Sequence, residues 1–133
     1  PFGHGRYIMI RSVCAMLAVC LLLAGAAVFE HFTIRSTFSC VLKELSALTE
    51  KTEEGRANYE DAHAVQRSWE AKKERLQVLL PHNDVMRMDN YLSETVRLVA
   101  EARYEEALPK LEVLTHLAET FPAAYRPSLA NIF

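Results

Sequence analysis

Ser12-Val13-Cys14-Ala15-Met16-Leu17-Ala18-Val19-Cys20-Leu21-Leu22-Leu23-Ala24-Gly25-Ala26-Ala27-Val28-Phe29 is an uninterrupted stretch without charge. Arg6 and Arg11 precede it, and Glu30 and His31 follow it. With a helical rise of about 1.5 Å per residue, it is just long enough to cross a hydrocarbon core of about 30 Å. We read residues 9–30 as a transmembrane anchor that meets membrane lipid through residues 13–29. Residues 31–133 then form a helical domain beyond it. The first eight residues, opening Pro1-Phe2-Gly3-His4-Gly5, resemble no targeting signal. Met9 reads as the initiator, and residues 1–8 as a non-native or read-through leader outside the fold.

Orientation follows from charge. Of the fifteen Lys and Arg residues, only Arg6 and Arg11 lie before Glu30, and all seventeen Asp and Glu residues lie from Glu30 onward. The positive-inside rule puts the N-terminus in the cytoplasm and the bulk of a single-pass chain outside it, at the cell membrane. A cleaved signal peptide is the rival reading. Arg11, the stretch Val13–Leu23 and the small residues Ala24-Gly25-Ala26 match its three regions. Apolar character continuing through Ala27, Val28, Phe29 and Phe32 favours the anchor. A lipoprotein site at Cys20 would place the bulky Val19 where a small residue is usual.

The same count excludes some functions. The domain beyond the apolar stretch is mildly acidic, so it lacks the clustered cations that bind nucleic acid. Three cysteines make no disulfide framework. Cys14 and Cys20 read as packing residues of a membrane helix. Cys40 reads as a buried thiol beside Val41 and Leu45, with an intermolecular disulfide as the alternative.

Four helical segments follow from apolar spacing. The first, about His31–Thr52, carries Phe38, Val41, Leu42, Leu45 and Leu48 on one face and continues the membrane helix. Gly55 is its stop. The second, about Asn58–Leu80, carries Ala62, Val65, Trp69, Leu76, Leu79 and Leu80, with the stem of Lys73 packed and its head in water. Pro81 ends it. The third is expected to be capped by Asn83 or Asp84 and carries Val85, Met88, Leu92, Val96 and Val99. The fourth, about Tyr104–Phe121, carries Tyr104, Ala107, Leu108, Leu111, Leu114, Leu117, Ala118 and Phe121. Pro109 sits near its first turn and Pro122 is expected to end it. The tail, with its apolar end, is expected to fold back on the bundle. No strand alternation occurs, so the fold class is all-α: an N-terminal transmembrane helix followed by a small antiparallel bundle.

Chemistry is thin. The five histidines are scattered and show no ligand spacing, so no metal is assigned. His82 reads as a polar residue of the second turn, bonded to a helix end. Glu101, Glu105 and Glu106 read as a solvated acidic face. No phosphate-cradling loop, nucleophile elbow or Cys-x-x-Cys occurs, and Gly55 is the single glycine beyond the apolar stretch. The chain therefore reads as a non-enzyme without cofactor. Trp69 is first a core anchor and second a partner-binding residue. With it, His82, Tyr104, Asn131 and Phe133 are the candidate partner-binding positions.

Tyr104-Glu105-Glu106-Ala107-Leu108 resembles the second helix of a tetratricopeptide unit. One unit makes no solenoid, so it reads as a helical hairpin of that style. More broadly, several features line up in order: the N-terminal span, Trp69 before a Lys-rich turn, and His82 before the third helix. The Tyr104–Leu108 junction and the terminal Pro127-Ser128-Leu129-Ala130-Asn131-Ile132-Phe133 complete the set. This layout resembles a bacterial family of small membrane-anchored proteins, mostly from Gram-positive spore formers, known as domain of unknown function four-three-six-three. The resemblance covers about residues 9–133. It implies a membrane-anchored helical domain and no particular activity.

Two functions follow as expectations. The first is a membrane-tethered interaction or scaffold module of the cell envelope, docking a protein partner or its own copy. The second is a ligand sensor or carrier with an apolar groove lined by Met86, Met88, Tyr91 and Tyr104.

Overall fold

The computed structural model describes residues 2–124. It contains four helices: α1 (Phe2–Glu53), α2 (Tyr59–Leu76), α3 (His82–Ala100) and α4 (Tyr104–Ala124). No strand occurs among the described residues. α1 packs on α2 and α4, and α3 closes the ring by packing on the same two helices. Short connections make neighbours antiparallel, an up-down-up-down bundle. The expected packing of the tail, with Asn131 and Phe133, lies outside the described residues.

α1 is one unbroken helix of 52 residues, about 78 Å long at 1.5 Å per residue. It passes through residues 3–8 without interruption and carries the apolar stretch directly into the bundle. Every residue from Gly3 to Glu30 is exposed, and the first buried side chain is Ile34. Among the described residues, this part of α1 therefore has nothing to bury against. It is long and apolar enough to cross a membrane.

The core is assembled from the expected faces. Phe38, Val41, Leu45 and Leu48 of α1 meet Ala62, Val65, Trp69 and Leu76 of α2. Val85, Met88, Leu92, Val96 and Val99 of α3 and Ala107, Leu111, Leu114, Leu117, Ala118 and Phe121 of α4 complete it. Phe38 is the hub: its ring centroid lies 6.1 Å from Trp69 and 5.6 Å, edge-on, from Phe121. Two buried hydroxyls join this core. Thr52 donates to the Leu48 carbonyl at 2.7 Å and Thr95 to the Tyr91 carbonyl at 2.8 Å, which is how a helix accepts a buried Thr.

Helix ends depart from expectation in three places. α2 stops at Leu76 rather than Leu80, and Gln77–Leu79 form a turn. Pro81 is the cause: it has no N–H for the Gln77 carbonyl, and its ring clashes there, four residues back. α3 begins at His82 without a side-chain cap. The Pro81 carbonyl takes the N–H groups of Asp84 and Val85 at 3.1 and 3.3 Å, so Asn83 and Asp84 lie inside the first turn. α4 runs through Pro122 to Ala124. Phe121 is held in the core against Phe38, and that packing overrides the local bias of a residue before proline. Cys40 is exposed rather than buried, because Val41, the next residue, takes the core-facing position about 100° around the helix.

The two distal turns share one geometry. After α1, Gly55 adopts φ 69°, its N–H bonds Thr52 at 3.1 Å, and the Arg56 N–H bonds Lys51 at 2.9 Å. After α3, Ala102 adopts φ 57°, its N–H bonds Val99 at 3.0 Å, and the Arg103 N–H bonds Leu98 at 2.8 Å. Both are Schellman ends, but only the first has glycine at the left-handed position. An L side chain there costs about 1 kcal/mol or more. Ala102→Gly is therefore expected to stabilise the bundle by about 1 kcal/mol, and Gly55→Ala to destabilise it by a similar amount. Urea unfolding of the two variants checks both signs; a destabilising Ala102→Gly would refute the account.

Candidate functional site

The described residues suggested by sequence divide between core, turn and surface. Trp69 is a core side chain, 2% exposed. Its indole N–H donates to Asp89 Oδ1 at 2.7 Å, and Lys73 Nζ donates to Asp89 Oδ2 at 3.1 Å. Asp89 thus bridges α2 and α3, and the head of Lys73 is bonded rather than left to water. Tyr104 is half-buried, and its hydroxyl donates to the Ala57 carbonyl at 2.7 Å. That bond ties the α3–α4 turn to the α1–α2 turn. His82 is exposed at the start of α3, and its ring makes no hydrogen bond among the described residues.

The α1–α2 turn is held electrostatically. Asn58 Oδ1 accepts the Asp61 N–H at 2.9 Å, and the Asn58 N–H reaches Asp61 Oδ2 at 3.1 Å, a capping box. Lys51 adds a bond to Asp61 Oδ1 at 2.9 Å. The Lys51 bond, then the Asn58 N–H, hold the Asp61 carboxyl below the usual aspartate range.

The acidic trio Glu101, Glu105 and Glu106 is not one cluster. Arg103 stands between Glu101 and Glu106 and bonds both. Arg103 first, and Arg97 second, lower the Glu101 carboxyl below its ordinary value. Glu105 turns the other way. It joins an open groove of about 980 Å³ between α1 and α4, lined by Thr49, Glu53, Glu112, His116 and Glu119 among others. Leu108, Pro109 and Val113 are the apolar part of its lining. Sequence reading missed this face. Its signal was present: Glu105, Glu112 and Glu119 recur every seven residues, with His116 between, one strip of a helix. What linear spacing did not show is that α1 supplies a second wall.

The four side chains proposed for an apolar ligand groove point to different places. Met88 is in the core, Met86 is 45% exposed, Tyr91 lies under Lys110 Nζ at 5.3 Å, and Tyr104 is bonded at the distal turn. Lys110 also bonds Glu94 at 2.9 Å, joining α3 to α4. Among the described residues no three His, Cys, Asp or Glu side chains converge as metal ligands.

No family model, curated protein or solved structure matches the chain.

Proposed function

We propose that the protein is a membrane-anchored helical interaction module of the cell envelope. The apolar part of α1 crosses the membrane, and the bundle stands outside the cytoplasm. The observation that carries this reading is the unbroken α1: an exposed apolar segment becomes a bundle helix with no linker between them. A flexible tether would let the domain roam, whereas a continuous helix holds it upright at the surface. Arg6 and Arg11 on the far side support the orientation. The likeness to the family of domain of unknown function four-three-six-three is put forward for this placement alone.

The partner face is the α1–α4 groove. Its carboxylates, Glu53, Glu105, Glu112 and Glu119, suit a cationic segment of another envelope protein, and its apolar lining gives that segment something to bury. Site-specific photocrosslinking from His116 in intact cells tests it. One discrete adduct that Glu112→Lys abolishes is expected. A chain that yields no adduct and is monomeric in detergent would remove the interaction reading. A signal-cleaved form is the second reading, since the core starts at Ile34 and a cut near Ala27 would leave the bundle whole. Mass spectrometry of the membrane and secreted fractions separates the two.

A further inference from the structure

We propose that the α2–α3 turn makes a second contact with the membrane, through Val78 and the headgroup layer that surrounds α1. The inference rests on the anchor reading above. Val78 is 86% exposed, more than any large apolar residue of the α1 span. Its position along the bundle explains that exposure. Glu44 meets Ser68, and Lys51 meets Asp61, so each step down α2 matches one step down α1. Carried two residues past the end of α2, that match brings Val78 about level with Ile34. Phe29, the last residue of the uncharged stretch, lies five residues below Ile34, about 7.5 Å at 1.5 Å per residue.

A bilayer of about 40–45 Å with a hydrocarbon core of about 30 Å has a headgroup layer of about 5–7 Å on each side. Val78 therefore sits at the outer edge of that layer when α1 stands upright. A tilt of about 20° toward α2, ordinary for a membrane helix, lowers that side by about 3 Å and takes the side chain in. The tilt is rigidly transmitted, because α1 is continuous from span to bundle. Phe32, 69% exposed just above the span, shares the same layer. An apolar tip that is ordinary on a water-facing turn gains a stabilising contact there.

Net charge does not drive this contact. Arg35, Arg75 and Arg87 at this end are interspersed with Glu30, Glu74 and Asp84. The contact should therefore form on zwitterionic lipid and survive high salt. It fixes which side of the bundle leans on the membrane, and so which way the α1–α4 groove faces.

The test uses the full chain in phosphatidylcholine nanodiscs, with Cys14, Cys20 and Cys40 replaced by Ala. An environment-sensitive fluorophore is placed by Val78→Cys, Tyr59→Cys or Phe29→Cys. Tyr59 is the exposed distal reference, and Phe29 reports the span. Iodide quenching at position 78 is expected to be several-fold weaker than at 59, with blue-shifted emission, in low and high salt. Quenching at 78 equal to that at 59, with 29 protected, overturns the contact and leaves the anchor standing. Strong quenching at 29 overturns the anchor, and the contact falls with it.

Discussion

Trp69→Ala is expected to destabilise the bundle by about 3–5 kcal/mol, the range for removing a large aromatic from a packed core. The indole is 2% exposed and lies against Phe38, which in turn carries Phe121. Its loss opens a cavity between α2, Phe38 of α1 and the α3 side where Asp89 meets the indole. It also takes the N–H donor from Asp89, leaving Lys73 as that carboxylate's partner. Domains of this size are held by about 5–15 kcal/mol, so the variant loses a large share of its margin. Thermal unfolding followed by far-ultraviolet circular dichroism in detergent measures it, with a fall in Tm of at least about 12 °C. Trp69→Phe separates the two contributions. It keeps an aromatic ring against Phe38 but strips the donor, and should cost about 1–3 kcal/mol. If the alanine variant lost less than the phenylalanine variant, Trp69 would not be the core anchor.

Leu21→Asp is expected to move the protein out of the membrane. Leu21 lies near the middle of the uncharged stretch and is 72% exposed, with no bundle contact to lose. At the centre of a spanning helix, Leu favours insertion by about 0.3–0.6 kcal/mol, and Asp opposes it by about 2.5–3.5 kcal/mol. The change of about 3–4 kcal/mol shifts partitioning more than a hundredfold. Fractionation of cells making the variant reads it directly. Unfolding of the bundle should stay within about 0.5 kcal/mol of the parent, the usual range for a surface site. A variant that stays in the membrane fraction as fully as the parent would show that something other than α1 holds the protein there.

The proposed partner face and the proposed membrane contact both depend on relations between helices. Glu105 was visible in the sequence, but as one of three neighbouring acids beside Glu101 and Glu106. The fold sent those two to Arg103 and gave Glu105 to the groove. Val78 fell within the expected α2, about Asn58–Leu80, but was not among the residues of its apolar face. Ending that helix at Leu76 put it in a turn, facing outward. Tyr104 and Trp69 were read as packing residues with a second role in binding. Their hydrogen bonds to Ala57 and Asp89 are internal, and only coordinates could name those acceptors.

The sequence by itself determined the elements. An eighteen-residue uncharged stretch, apolar residues at three- and four-residue steps, Gly55 and Pro81 are local facts, and local physics turns them into helices, faces and turns. The apolar core residues of α3 followed from spacing alone, and Thr95 did not. Tertiary structure decided what those elements could not settle singly. It kept Phe121 helical before Pro122, because the Phe38 contact outweighs a local preference. It left Cys40 in the open and set Ala102 in a left-handed turn. It placed a wall of α1 beside the glutamates of α4. The Phe121 contact and the α1 wall are relations between residues far apart in the chain, and their energy arises from burial and charge placement that exist only after the helices meet.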